Sequence, residues 1–391
     1  MNAAGPDAPC SGAVHSCFAR FPQTPAGSCS WRTSLEPPRP HPLILAALPL
    51  LLPCSARRAA PPRLAQPSSH VVPGRQPRRL NGARSGLGIP LLALFLGAGV
   101  PFSPGPARAA QVVAADGVLC DLSRTLAAEL LQVVCLLPVG QDPHQAALRP
   151  RDRQLLAEAD LVLINGYGLT PALVRVQGRR PQVAVAELAV PASPVLEGGG
   201  SARDPHVWHD PRQGAAMVRL IAERLAPFTS QDARLRSRSQ QASAVLHDLD
   251  AWSVRQIATL PVPARVLASG HRSFRSFARR YGVRELAVID SFSTAGLLRP
   301  QGLQQVSDAL KRSGARVIFP DRLPPSKTLR RISQRSGVPI SSVALVADGL
   351  AAKSSYVDTV TANVCTFVAG QGGRCDRVGG QQLARRWAAI R

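Results

Sequence analysis

Acidic residues are scarce in this 391-residue sequence: 24 aspartates and glutamates stand against 47 lysines and arginines. Aromatic residues are scarce too, at 4% of the chain. Proteins that read nucleic acid usually carry a clustered basic stripe with stacking rings among its charges. Beyond residue 110 the arginines fall singly or in pairs, so they read as a solvated basic surface, and no nucleic-acid partner is expected. Other absences narrow the chemistry. There is no His-Glu-x-x-His pair for a zinc protease, no Gly-x-Ser-x-Gly elbow for a serine hydrolase and no Cys-x-x-Cys for a thiolate zinc site.

The first hundred residues are rich in Pro, Arg, Ser and Cys, poor in carboxylates and without helical or strand period. Residues 1–78 are therefore expected to be a disordered leader or upstream sequence from an over-extended gene model. Residues 79–109 follow the pattern of a secretory signal: Arg78, Arg79 and Arg84, then an apolar run at 89–100, then Ala107-Arg108-Ala109. That run falls short of the ~20 apolar residues that cross a bilayer. An earlier apolar stretch at 43–53 before Cys54 offers a lipoprotein reading, against which Pro53 argues. Export would place the protein in the periplasm, where disulfides are permitted. Cys120, Cys135, Cys365 and Cys375 lie in the exported part. Pairing within Cys120/Cys135 and within Cys365/Cys375 is one reading, and buried free thiols are the other.

From residue 110 onward, short β-branched runs alternate with amphipathic helical stretches, the pattern of parallel α/β architecture. Strands are predicted at 111–118, 131–137, 160–167 and 182–188, and again at 265–269, 285–290, 315–319 and 340–346. The expected fold is α/β with two similar lobes, residues 110–229 and 261–391, each a roughly four-stranded parallel sheet flanked by helices. Between them, residues 230–260 keep helical spacing and predict one long, rigid backbone helix, with Ser230 and Asp232 at its start.

In open parallel sheets, ligands bind beyond the carboxyl ends of the strands. Four candidate metal ligands fall there: His144 after the second strand, His206 at the exit of the first unit, His271 closing the fifth strand and Asp348 ending the last. Three neutral imidazoles and a carboxylate suit four-coordinate Zn²⁺, and a shell filled by protein leaves no place for an activated water. That weighs toward carriage over catalysis. Asp142 and Asp204, each two residues before a histidine, are expected to orient the rings or their backbone. His209 forms an i, i+3 pair with His206 and is a fifth candidate, whereas His247 reads as plain surface.

These residues resemble those of the metal-specific solute-binding proteins of ABC importers, the zinc and manganese group. The ordered set runs from Pro138-Val139-Gly140-Gln141-Asp142-Pro143-His144 through Asn165-Gly166-Tyr167-Gly168-Leu169 and Asp204-Pro205-His206-Val207-Trp208 to Ser269-Gly270-His271, Asp348 and Asn363. The resemblance implies a high-affinity binding component, not an enzyme, that captures an ion between two lobes. It implies delivery to a membrane permease driven by a cytoplasmic ATPase, with membrane contact only through that permease, and a monomer. Residue by residue it points to His144, His206, His271 and Asp348 as ligands, with histidine at the third position pointing to zinc. Manganese is the alternative ion, and a secreted zinc-dependent hydrolase the alternative class. A nucleotide- or phosphate-binding reading has only Asn165-Gly166-Tyr167-Gly168 to rest on. His209 stands where the family usually has an apolar residue, and the segment 197–201 is too short and ligand-poor to be a metal-sensing loop.

Overall fold

A computed structural model describes residues 110–391, apart from 175, 177–180, 196–200, 295, 297 and 299. The expected leader, the signal segment and most of the 197–201 loop lie outside the described residues. The first lobe runs β1 (Gln111–Ala114), α1 (Gly117–Ala127), β2 (Gln132–Cys135), α2 (Pro150–Glu158), β3 (Leu161–Ile164), α3 (Pro171–Val174), β4 (Gln182–Ala184), α4 (Val185–Ala189) and α5 (Pro211–Leu225). After α6 (Asp232–Ala258) come β5 (Val266–His271), α7 (Arg275–Tyr281), β6 (Arg284–Ile289), α8 (Pro300–Ser313), β7 (Ile318–Phe319), α9 (Lys327–Ser336), α10 (Tyr356–Gly370) and α11 (Arg377–Ala388). Among these helices none is long and apolar enough to cross a membrane.

Both sheets are parallel, in the orders β2-β1-β3-β4 and β6-β5-β7. Alternation along β1 sends Val112 and Ala114 into the main core and Val113 and Ala115 into a smaller one on the other face. The 27-residue α6 spans about 40 Å and packs against α1 and α5 on one side and α10 and α11 on the other. Leu235, Leu246, Leu249 and Trp252 bury its apolar positions in a single core that continues from the first lobe into the second. A second tie is the buried Asp121 of α1, which accepts hydrogen bonds from the Tyr356 amide and the Trp387 indole, both at 2.9 Å, and pairs with Arg391.

Several predicted boundaries shift, and the strand expected at 182–188 ends at Ala184, where α4 takes over. Asp116 caps α1 by accepting from the Leu119 amide at 3.0 Å, so β1 ends at Ala114 and not at 118. Helix α6 begins at Asp232, two residues beyond the expected 230, behind Gln231, whose amide donates to the Thr229 hydroxyl at 3.1 Å. The eighth strand, predicted at 340–346, is reduced to one bridge between Ile318 and Ile340, leaving three strands in the second sheet. Ser341 explains this: its hydroxyl donates to the Val343 carbonyl at 2.8 Å and accepts from the Val343 amide at 3.1 Å. Backbone groups engaged by a neighbouring side chain are lost to a ladder.

Both cysteine pairs are disulfides, Cys120–Cys135 and Cys365–Cys375, closing loops of 15 and 10 residues. Loop-closure entropy for such lengths is worth about 3 kcal/mol each. Replacing either pair by serine should lower the unfolding free energy by about 2–3 kcal/mol, read from denaturant midpoints of the metal-free protein.

Candidate metal centre

Each of the four predicted residues is aimed by its local backbone. Asp142 caps a short turn, Pro143–Gln145, by accepting from the His144 amide at 2.9 Å. Asp204 grips His206 twice through one oxygen, at 2.9 Å from the amide and 2.7 Å from Nδ1. Upstream, Asn165 donates to the Pro205 carbonyl at 2.9 Å and fixes the approach to that ring. His271 ends β5, and its Nδ1 lies 3.0 Å from Asp321. Gly270 makes that contact possible, since a Cβ there would sit 2.3 Å from the Asp321 carboxylate. Asp348 precedes Gly349, whose φ of +86° turns the chain back.

The four side chains meet in one cleft between the lobes, with a ligand atom of each within 4.8 Å of the others. Nε2 of His144 and Nε2 of His206 are 3.2 Å apart, and both approach Asp348 Oδ1, at 3.2 and 3.0 Å. His271 Nε2 lies 3.6 Å from Asp348 Oδ2 and has no hydrogen-bond partner although it is buried. With Nδ1 of His206 and of His271 facing carboxylates, the Nε2 lone pairs are the ones left to converge. A cavity of about 360 Å³ opens beside the cluster, bordered by Gly140, Asp142, Thr294 and Asp321.

Charge is set by the same contacts. Burial would raise the Asp348 carboxyl, but His144, His206 and His271 together hold it well below the usual carboxylate range. Burial would lower His206, yet Asp204 and Asp348 keep it above the ordinary histidine value. His271 is likewise opposed by burial, and Asp321 and Asp348 carry it up to about 10. The cluster without an ion is therefore a buried anion beside two imidazoles, His206 and His271, that hold their protons more firmly than usual, an arrangement in which a cation can replace protons.

His209 does not join the group. It is buried, its Nε2 donates to the Ala347 carbonyl at 2.9 Å, and burial followed by the nearby His206 pushes it down to about 4. His247 is exposed on α6, as expected of plain surface. The phosphate reading of Asn165-Gly166-Tyr167-Gly168 loses its basis, because the Glu187 carboxylate accepts the Tyr167 amide where a phosphate oxygen would have to bind. Sequence reasoning missed Asp321. The signal was available, since Phe319-Pro320-Asp321 leaves the carboxyl end of β7 as the other candidates leave theirs.

Known proteins share this chain's sequence pattern and fold. The family described as zinc-uptake complex component A, periplasmic, matches residues 112–370. The manganese-binding lipoprotein MntA of Halalkalibacterium halodurans is 27% identical over 274 residues, covering 66% of this chain and 88% of that protein. The zinc-binding protein TroA of Treponema pallidum is 29% identical over 271 residues, covering 66% and 87%. The solved structure of the periplasmic zinc-binding protein TroA from Treponema pallidum superposes with a TM-score of 0.63 at 27% identity, over 68% of this chain and all of that one.

Proposed function

We propose, given that this chain belongs to the family of periplasmic zinc-uptake component A proteins, that it captures Zn²⁺ between its lobes with His144, His206, His271 and Asp348 and hands it to the permease. Membership makes it a metal-binding component of an ABC importer, a transport protein and not an enzyme, that works with a membrane permease and a cytoplasmic ATPase. Through its histidine and aspartate cluster it can coordinate a divalent metal ion. Family members are periplasmic or secreted. Export on residues 79–109 belongs to the proposal, as does the division into lobes 110–229 and 261–391 about the helix.

The observation that carries the zinc reading is the donor set: three Nε2 atoms and one carboxylate within 4.8 Å of one another. Nitrogen-rich, four-coordinate shells suit zinc, whereas manganese prefers more oxygen donors in octahedral array. Among relatives the printed ion varies, manganese for MntA and zinc for TroA, so this preference must be measured on the chain itself. A four-ligand protein shell leaves an ion without an open position, which suits carriage. The long α6, packed on both lobes, favours small adjustments at the cleft over a wide hinge opening.

Calorimetric titration of the metal-free chain should give one zinc per chain, bound more tightly than manganese. Tighter manganese binding would overturn the choice of ion, and no binding of either would overturn the carrier reading.

A further inference from the structure

The segment that carries Asp348 has no ladder to hold it. With the eighth strand reduced to a bridge at Ile340, the stretch leading to the ligand is pinned piecemeal. Leu345 donates to the Pro320 carbonyl at 3.0 Å. The Asn363 amide takes both backbone groups of Val346, accepting from its N–H at 2.9 Å and donating to its carbonyl at 2.8 Å. The contact nearest the ligand comes from the opposite lobe, where His209 reaches the Ala347 carbonyl at 2.9 Å. A carbonyl only accepts, so Nε2 of His209 carries the proton. The ring is held in place by Phe274, three residues beyond His271, at a centroid distance of 4.4 Å.

We infer that His209 is a positioning residue that reaches across the cleft to hold the Asp348 backbone, presenting one carboxylate oxygen to the ion and thereby setting the discrimination of zinc against manganese. The carboxylate is asymmetric as it stands: Oδ1 lies 3.0 and 3.2 Å from two imidazole nitrogens, and Oδ2 is 3.6 Å from the third. An ion at the centre of such a cluster meets one oxygen and three nitrogens, a tetrahedral set. Were the Ala347-Asp348 peptide free to shift, the carboxylate could turn both oxygens to the ion and leave room for water. That five- or six-coordinate, oxygen-richer shell favours manganese. An apolar residue at 209 could pack against Phe274 but could not tether the peptide.

The inference rests on the carrier reading above, and its test separates the two. His209→Leu keeps apolar bulk and loses the donor, His209→Gln places an N–H at similar reach, and His209→Asn offers it on a shorter arm. Metal-free full-length protein is titrated with zinc and with manganese, and the visible spectrum of the cobalt(II) form reports coordination number, since its bands are strong for tetrahedral ions and fade with more ligands. His209→Leu and His209→Asn should bind zinc about tenfold more weakly with manganese affinity held or raised, and should show weakened cobalt bands. His209→Gln should return the zinc-to-manganese ratio to within about threefold of the unaltered chain. An unchanged ratio and cobalt spectrum in His209→Leu would overturn the inference while leaving the carrier reading intact. Equal losses for both ions without rescue by Gln would also overturn it, by reducing His209 to a packing residue. If the Leu variant fails to fold, the Gln and Asn pair decides, and equal behaviour of those two counts against it. Absence of metal binding in the unaltered chain would remove the carrier reading and this inference together.

Discussion

Asp348→Ala and His271→Ala should each weaken zinc binding by about a hundredfold or more. Zinc held by four protein ligands in small domains has an apparent binding free energy of about 10–16 kcal/mol, roughly 2.5–4 kcal/mol per ligand. At about 1.4 kcal/mol per factor of ten, that is two to three orders of magnitude for each ligand removed. The Asp348 substitution carries a further cost in the ion-free protein. Its carboxylate approaches all three histidine rings, at 3.0 to 3.6 Å, and it offsets the protons on His206 and His271. Asp348→Asn keeps the shape and loses the charge, so it should fall near the alanine variant. Calorimetry or competition against a chelator of known affinity measures these losses, with His247→Ala as the exposed control. Zinc affinity unchanged in both the His271 and Asp348 variants would remove them from the coordination shell.

Zinc affinity should also rise steeply with pH. The ion needs the Nε2 lone pairs, and His271 holds its proton up to about pH 10 in the ion-free state. The ion-free protein therefore binds more protons than the loaded one, and loading releases them. The sign follows: affinity falls as pH falls, by about tenfold per unit for each proton released. Through neutral pH, His271 contributes a full proton. His206, raised above the ordinary value, adds a growing share as the pH drops. Between about pH 8 and pH 6 the combined loss should be at least a hundredfold. Titrations in buffers of different ionisation heat count the protons directly, and fewer than one released per zinc at pH 7 would refute this account. In Asp321→Asn the support for His271 is weakened, so fewer protons should be released at that pH.

Periodicity and composition made much of the architecture legible. Seven of eight strands stand where β-branched runs predicted them, and α6 occupies the stretch that kept helical spacing. Of the ligand candidates only His271 stands at an observed strand end; His144, His206 and Asp348 lie in longer loops, and the ordered motifs around them made them legible. The misjudged boundaries at 116 and 340 turn on single capping or hydroxyl contacts, which a pattern of apolar spacing does not register.

By itself, the sequence determined the α/β alternation, the long helix and the presence of three histidines and an aspartate in loops between the elements, because each of these is written in residues close together along the chain. Tertiary structure alone decided that His209 turns to the Ala347 carbonyl and stays out of the cluster, that Asp321 backs His271, and that the four cysteines pair as they do. Those outcomes depend on contacts between side chains up to 142 positions apart, such as His206 with Asp348. A few tenths of an ångström and the orientation of a ring nitrogen settle them, and both are fixed only when the lobes are packed.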